Sequence, residues 1–211
     1  MTNARNRSEI ASFIVQCDPA FAPLVDMVGP PPARRSARVE QRFANLVRSI
    51  TFQLLATKAA ATIHASVEAL CDHRVTPTTM LLIGPARLRE VGLSNAKAAA
   101  MIDLAQRTRD GELRLDRHGR LSDDQVMREV VAVRGVGPWT AQMYLMHTLA
   151  RRDVWPVGDF GVRAGWSLLH GRHDTIDARA LNAEGDLFIG ERSALAWYCW
   201  RAVELARRRE Q

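Results

Sequence analysis

Val131-Ala132-Val133-Arg134-Gly135-Val136-Gly137-Pro138-Trp139-Thr140-Ala141-Gln142 holds the end of one helix, a tight turn and the start of another. Upstream, Ser122 to Val133 has helical spacing, with Val126, Val130 and Val133 on one face and Met127 beside them. Ser122 with Gln125 three positions on makes a capping-box start. Gly135 can take a positive φ and stop that helix. Gly137 has no Cβ, so another backbone can come close. Pro138 suits a first helical turn, where its missing N–H is not needed. The second helix is expected over about Trp139 to Ala150, with Ala141, Leu145, Met146 and Leu149 apolar. A turn of this kind directs backbone N–H groups outward at a helix N-terminus, which favours phosphate. Such a contact positions a nucleic acid and reads no base. A plain interhelical turn has the same local signature.

Asp159 follows about twenty residues after the turn, beyond the extended run Val154-Trp155-Pro156-Val157. Trp155 precedes a proline and is biased away from helix. A helix is expected to begin near Asp159, because Val162, Trp166 and Leu169 share a face. Asp is a preferred N-cap, so a capping role explains it without any chemistry. The two roles are compatible, since a helix N-terminus favours negative charge.

Together, Val133-Arg134-Gly135-Val136-Gly137-Pro138-Trp139-Thr140-Ala141 and Asp153-Val154-Trp155-Pro156-Val157-Gly158-Asp159 resemble the helix-hairpin-helix DNA glycosylases. Within that superfamily the chain resembles the 3-methyladenine DNA glycosylase II branch. Ser49 through Ala60 is similar to the branch's Gln-containing helix, and Gly92-Leu93-Ser94-Asn95-Ala96-Lys97-Ala98 to its Gly-Leu-Ser-x-x-Lys-Ala element. Arg192-Ser193 through Trp197-Tyr198-Cys199-Trp200-Arg201 resembles its C-terminal Arg-Ser and aromatic helix. The likeness spans roughly residues 18 to 208, with the elements in the same order. Two positions depart from the branch's pattern: Gln53-Leu54 replaces two adjacent glutamines, and Gly190-Glu191 replaces a Pro-aromatic pair before Arg-Ser.

The resemblance implies an all-α fold, two helical lobes with a cleft between them. It makes 1–211 one glycosylase domain with 1–35 as its N-terminal segment. The large N-terminal β-domain of some relatives would need more chain before Gly29-Pro30-Pro31-Pro32, so it is expected to be absent. Asp159 stands at the place of the catalytic aspartate. Trp139 stands where glycosylases that also cut the strand keep a Schiff-base lysine, which implies a monofunctional enzyme leaving an abasic site. Trp200 matches a pocket-wall aromatic, and Gln53 and Met143 complete the expected substrate pocket. DNA contacts are expected from Arg134, Gly135, Val136, Gly137, Thr140 and Lys58. The carbonyls of Val131, Val133 and Val136 sit where related hairpins hold a monovalent cation, Na⁺ or K⁺; no other cofactor is implied. Damaged double-stranded DNA is the expected partner, with no obligate protein partner and a monomeric state.

Composition agrees with these implications. The 211 residues suffice for one sizeable domain or two small lobes, and 47% hydrophobic content supports a core. A net charge of +6 and a pI near 10.0 suit a polyanionic partner without requiring one. Cys17, Cys71 and Cys199 are odd in number and far apart, which argues against a disulfide framework and fits a reducing cytoplasm. Three cysteines also exclude a four-cysteine iron–sulfur cluster. No apolar run approaches the roughly twenty residues of a membrane span. Met1 to Arg7 is polar, with no apolar signal region after it.

Elsewhere, residues 1–7 are expected to fray, and a helical entry to break at Asp18-Pro19. Arg34, Arg35 and Arg38 are candidates for phosphate or a solvated surface. Phe43, Leu46, Val47, Ile50 and Leu54 are spaced for one buried helical face. Helices should start at Thr76-Pro77 and Gly84-Pro85; Gly92 should end one, and Ser94 should cap the next. Lys97 is a candidate for contact with the nucleic-acid backbone, with an exposed lysine as the default. Asp110-Gly111 and His118-Gly119 suggest a loop between the lobes. His170-x-x-His173-Asp174 has metal-like spacing, but Gly171 makes it a surface turn.

The mechanism implied is extrusion of a damaged nucleotide, because a stacked N-glycosidic bond is out of reach. An alkylated base is cationic, so Trp139 and Trp200 can hold it by stacking and Asp159 can support the sugar's developing positive charge. Three alternatives stay open at this level: a non-catalytic helix-hairpin-helix DNA-binding protein, a helical structural or regulatory protein, and a glycosylase for deaminated or oxidised bases.

Overall fold

A computed structural model describes residues 5–209. Eleven α-helices and no strand occur among them: α1 Arg7–Cys17, α2 Ala22–Val28, α3 Val39–Phe52, α4 Thr57–Leu70, α5 Pro77–Glu90, α6 Asn95–Arg109, α7 Asp123–Val131, α8 Pro138–Met143, α9 Phe160–Leu169, α10 Ala178–Glu184 and α11 Arg192–Arg209. The all-α expectation holds. The chain divides into two compact units, Arg35–Ala150 and a second made of residues up to Arg34 with Arg151 onward.

The contiguous unit runs from α3 to α8. Its core takes Phe43, Leu46, Val47 and Ile50 from α3, Met101 and Leu104 from α6, Val126 and Val130 from α7, and Tyr144 and Leu145 beyond α8. α3 does not carry its apolar face on to Leu54. The helix ends at Phe52, Gln53 leaves it with ψ 130°, and Leu54 sits fully exposed with φ 52°. The reason lies in another helix: Lys97 Nζ donates to the carbonyls of Thr51 at 2.8 Å and Gln53 at 2.6 Å. That ammonium satisfies carbonyls the helix would otherwise leave bare. Lys97 is therefore half-buried rather than a solvated lysine, and burial lowers its pKa.

Two further expectations for this unit change. The helix after the turn is α-helical only to Met143, and a π-helical turn, Tyr144–Thr148, replaces the remainder. Its wider path accommodates the consecutive buried side chains Met143, Tyr144, Leu145 and Met146. The 110–121 loop does not separate the units; it lies inside this one, with Leu113, Leu115 and His118 buried. Arg42 holds it by donating to the Leu115 carbonyl at 2.6 Å. Both expected helix starts are present: Thr76 caps α5 before Pro77, and Gly84, with φ 72° and ψ 169°, breaks α5 so that a second helical stretch begins at Pro85.

The second unit packs Phe21, Trp166, Phe188 and Tyr198 together, with ring centroids 5.6–6.4 Å from Phe21. The fraying expected over 1–7 falls partly on residues 1–4, outside the described residues; Asn6 already caps α1 in a box with Glu9. α9 and α11 approach so closely that a Cβ on Gly165 would stand 2.0 Å from the Cys199 carbonyl oxygen. His170 pairs with Asp18 at 2.8 Å and stacks on Trp166, and no metal-holding cluster occurs among the described residues. Arg34, a phosphate candidate, is half-buried and donates to the Ser193 carbonyl at 3.0 Å.

Candidate active site and DNA-facing turn

The turn between α7 and α8 follows its local chemistry. Ser122 and Gln125 form the capping box that opens α7, Gly135 adopts φ 72°, and Pro138 begins α8. Gly137 is the N-cap of α8, and no side chain caps that end. A Cβ on Gly137 would meet open space. Arg134 and Gly135 are exposed, while Val136 is buried as an anchor. Asp103 on α6 secures the turn from below: its Oδ2 accepts the Arg134 amide at 2.8 Å and Arg107 Nε at 2.9 Å. Val131 closes α7, and the Val133 carbonyl accepts the Val136 N–H at 3.1 Å. A carbonyl has a second lone pair, so this engagement leaves room for the expected cation.

Gln53 is tied to the same turn. Its Nε2 donates to Thr140 Oγ1 at 2.8 Å and to the Gly135 carbonyl at 3.3 Å. Thr140 is 2% exposed, so its hydroxyl serves this interior bond rather than an outside partner. The backbone of Gln53 is held by Lys97 and its side chain by the turn, which leaves Leu54 at the tip of a clamped loop. Trp139 is half-buried in the first turn of α8, Met143 is buried, and Lys58 is exposed near the start of α4.

In the other unit Asp159 is the N-cap of α9. Its Oδ1 accepts the Val162 N–H at 2.9 Å and the Trp200 Nε1–H at 2.9 Å. Trp200, expected as a wall, thus also holds the carboxylate. Trp200 and Gly161 line an open cavity of about 480 Å³ with Val203, Glu204, Arg207 and Arg208. Burial pushes the Cys199 thiol well above its ordinary value, and the Asp159 charge adds to that, so Cys199 stays an uncharged neighbour.

The segment leading to Asp159 is stapled to the start of α11. Arg192 grips Asp153 through two bonds of 2.6 and 2.8 Å. Burial alone would raise the Asp153 carboxyl, but hydrogen bonds from Arg192 and from the Gly190 and Arg192 amides hold it below its ordinary value. Ser193 Oγ donates to the Arg151 carbonyl at 2.8 Å and accepts the Val154 N–H at 3.0 Å. Trp155 Nε1 donates to the Leu181 carbonyl at 3.0 Å. Glu191, one of the two departures in the sequence pattern, is 2% exposed and paired with Arg152. Sequence reasoning missed the roles of Gly161, Lys97 and Glu191. Each is defined by a partner at least 39 positions away.

A model of the HhH-GPD superfamily, base excision DNA repair proteins, matches residues 47–188. The chain belongs to that superfamily. Among HhH-GPD relatives it is 27% identical over 192 residues to DNA-3-methyladenine glycosylase 1 of Schizosaccharomyces pombe, covering 87% of this chain and 82% of the relative. It is 26% identical over 163 residues to DNA-3-methyladenine glycosylase 2 of Escherichia coli, covering 72% of this chain and 57% of the relative. A solved S. pombe 3-methyladenine DNA glycosylase in complex with abasic DNA superimposes with a TM-score of 0.86 at 26% identity, covering 93% of this chain and 97% of that one. No helix among the described residues is long and apolar enough to cross a membrane.

Proposed function

We propose that this chain is a monofunctional DNA glycosylase that removes alkylated bases of the 3-methyladenine type from double-stranded DNA by hydrolysing the N-glycosidic bond. The observation that carries the reading is Asp159: a carboxylate on a helix N-terminus, with one oxygen held by two N–H donors. The names of the relatives and the DNA complex support it. So does Trp139, which offers no amine for a Schiff base at its position in the turn.

The steps assign a task to each residue. The Arg134–Gly137 turn and Lys58 hold phosphates, a contact that gives position and makes binding salt-sensitive. A monovalent cation on the Val131, Val133 and Val136 carbonyls would add positive charge facing the strand. Leu54, exposed and apolar at its clamped tip, fills the gap left by the extruded nucleotide. Trp200, bonded to Asp159, contacts the cationic base, worth about 1–2 kcal/mol for a desolvated cation–π contact. Such a base is already a good leaving group, so no strong general acid is required. Asp159 stabilises the oxocarbenium character of the sugar and orients the attacking water. The enzyme works as a monomer without an obligate protein partner, in a reducing cytoplasm where Cys17, Cys71 and Cys199 remain thiols.

The test is chromatographic identification of bases released from methylated DNA. Wild type should release 3-methyladenine. Asp159→Asn should keep its thermal midpoint, since Asn also caps helices, and lose on the order of a hundredfold or more in rate. DNA binding without release by the wild type would favour a non-catalytic binder. Near-normal turnover by Asp159→Asn would reject the assignment.

A further inference from the structure

Gly161 is the second residue of α9, two positions after Asp159. A Cβ on it would stand 2.9 Å from Trp200 Cδ1, 3.1 Å from Asp159 Oδ1 and 3.3 Å from Trp200 Nε1. All three atoms belong to one hydrogen-bonded pair of side chains. Its backbone does not demand a glycine: the residue is helical with no positive φ, and alanine would favour the helix. What requires the bare Cα is the indole lying against it.

Trp200 completes the arrangement. Its Nε1–H and the Val162 amide both donate to Oδ1, which fixes the rotation of the carboxylate. A carboxylate aimed at a developing charge helps only while it holds that aim. We infer that Gly161 and Trp200 are positioning residues for Asp159: the missing side chain at 161 admits the indole edge, and the indole N–H locks the carboxylate against the start of α9. The catalytic consequence rests on the glycosylase reading; the lock itself does not.

Two measurements test it. In protein labelled with ¹⁵N-tryptophan, Trp200 is one of five indoles, identified by its absence from Trp200→Phe. Its N–H resonance should lie downfield, as a bond to a carboxylate requires, and move upfield in Gly161→Ala while the other indoles stay in place. In single-turnover excision, Trp200→Phe keeps an aromatic face and removes the donor. It and Gly161→Ala should each slow excision roughly tenfold or more, with affinity for undamaged DNA, which puts no base against Trp200, unchanged within about twofold. The double variant should be little slower than Trp200→Phe, because both changes remove the same bond. An indole resonance unmoved by Gly161→Ala, additive losses, or affinity falling in step with rate would each overturn the inference. A wild type that releases no base but shows the responsive resonance rejects the glycosylase reading and keeps the lock. Full excision by both variants with an unmoved resonance does the reverse.

Discussion

Two helix N-termini, those of α8 and α9, begin with the same unsatisfied donors and solve the problem differently. α8 is capped by Gly137, which makes no side-chain cap hydrogen bond. α9 is capped by Asp159, whose carboxylate accepts the Val162 amide. A glycine cap leaves the partial positive charge available to an outside anion. An aspartate cap supplies the anion from within and immobilises it. The first arrangement suits holding a phosphate; the second suits a charge needed in one fixed orientation.

The comparison can be broken at four places. The largest effect is expected where α9 is seated. Gly165→Ala would drive a Cβ to 2.0 Å from the Cys199 carbonyl oxygen, a backbone atom that cannot swing aside. It should cost about 3 kcal/mol or more, or prevent folding. An unchanged urea midpoint would show that α9 tolerates a shift and that Asp159 is less rigidly held than argued.

Gly137→Asp gives α8 the cap that α9 has. The position has φ −95° and open space, so the variant should fold with an unchanged or slightly raised melting temperature. It should nevertheless bind DNA about tenfold more weakly, with a salt dependence lower by about one counterion. Undiminished affinity would remove phosphate from the end of α8. A smaller effect is expected at the clamped loop. Leu54→Ala should leave stability within about 0.5 kcal/mol, because the side chain touches solvent alone. Excision from a paired site should slow several-fold, while excision from an unpaired lesion is spared, as a gap-filling residue requires. Equal slowing on both substrates would rule out that role.

The smallest effect is one of pH, in the unit that carries α8. His118 is buried between Tyr144 OH at 3.1 Å and Glu129 at 3.0 Å. Burial lowers its pKa below the ordinary 6.5, with Glu129 opposing in part. The unfolded chain therefore takes up a proton first as pH falls. This stability is whole above pH 6.5 and declines as pH drops through that value toward the folded pKa. Melting temperature should fall as pH drops from neutral to mildly acid. His118→Gln should flatten that slope; an unchanged slope would assign it elsewhere.

Much of this arrangement was legible in the residues themselves. Ser122 with Gln125, Gly135 and Pro138 declare a helix end, a turn and a helix start. Asp159 before Val162 and Trp166 declares a cap. Those features depend on neighbours within seven positions, so sequence carries them. Leu54 was misread for the complementary reason. Its spacing continues the apolar stripe of α3, but the helix stops two residues earlier because a lysine 44 positions beyond Gln53 takes its carbonyls. The 110–121 loop looked like a boundary because glycines mark turns, whether or not tertiary partners bury them. Gln53 was expected at the substrate pocket, and its bond to the Thr140 hydroxyl was not legible because that partner is 87 positions away.

The sequence by itself determined the helices, the Gly-x-Gly turn, the capping aspartate and the basic balance, because each depends on backbone sterics, local hydrogen bonding or a sum over residues. Only the tertiary structure decided that Trp200 donates to Asp159, that Gly161 must be bare for it to do so, and that Leu54 stands outside the core. Those facts arise where distant segments compete for the same space and the same lone pairs, and chain order does not record that competition.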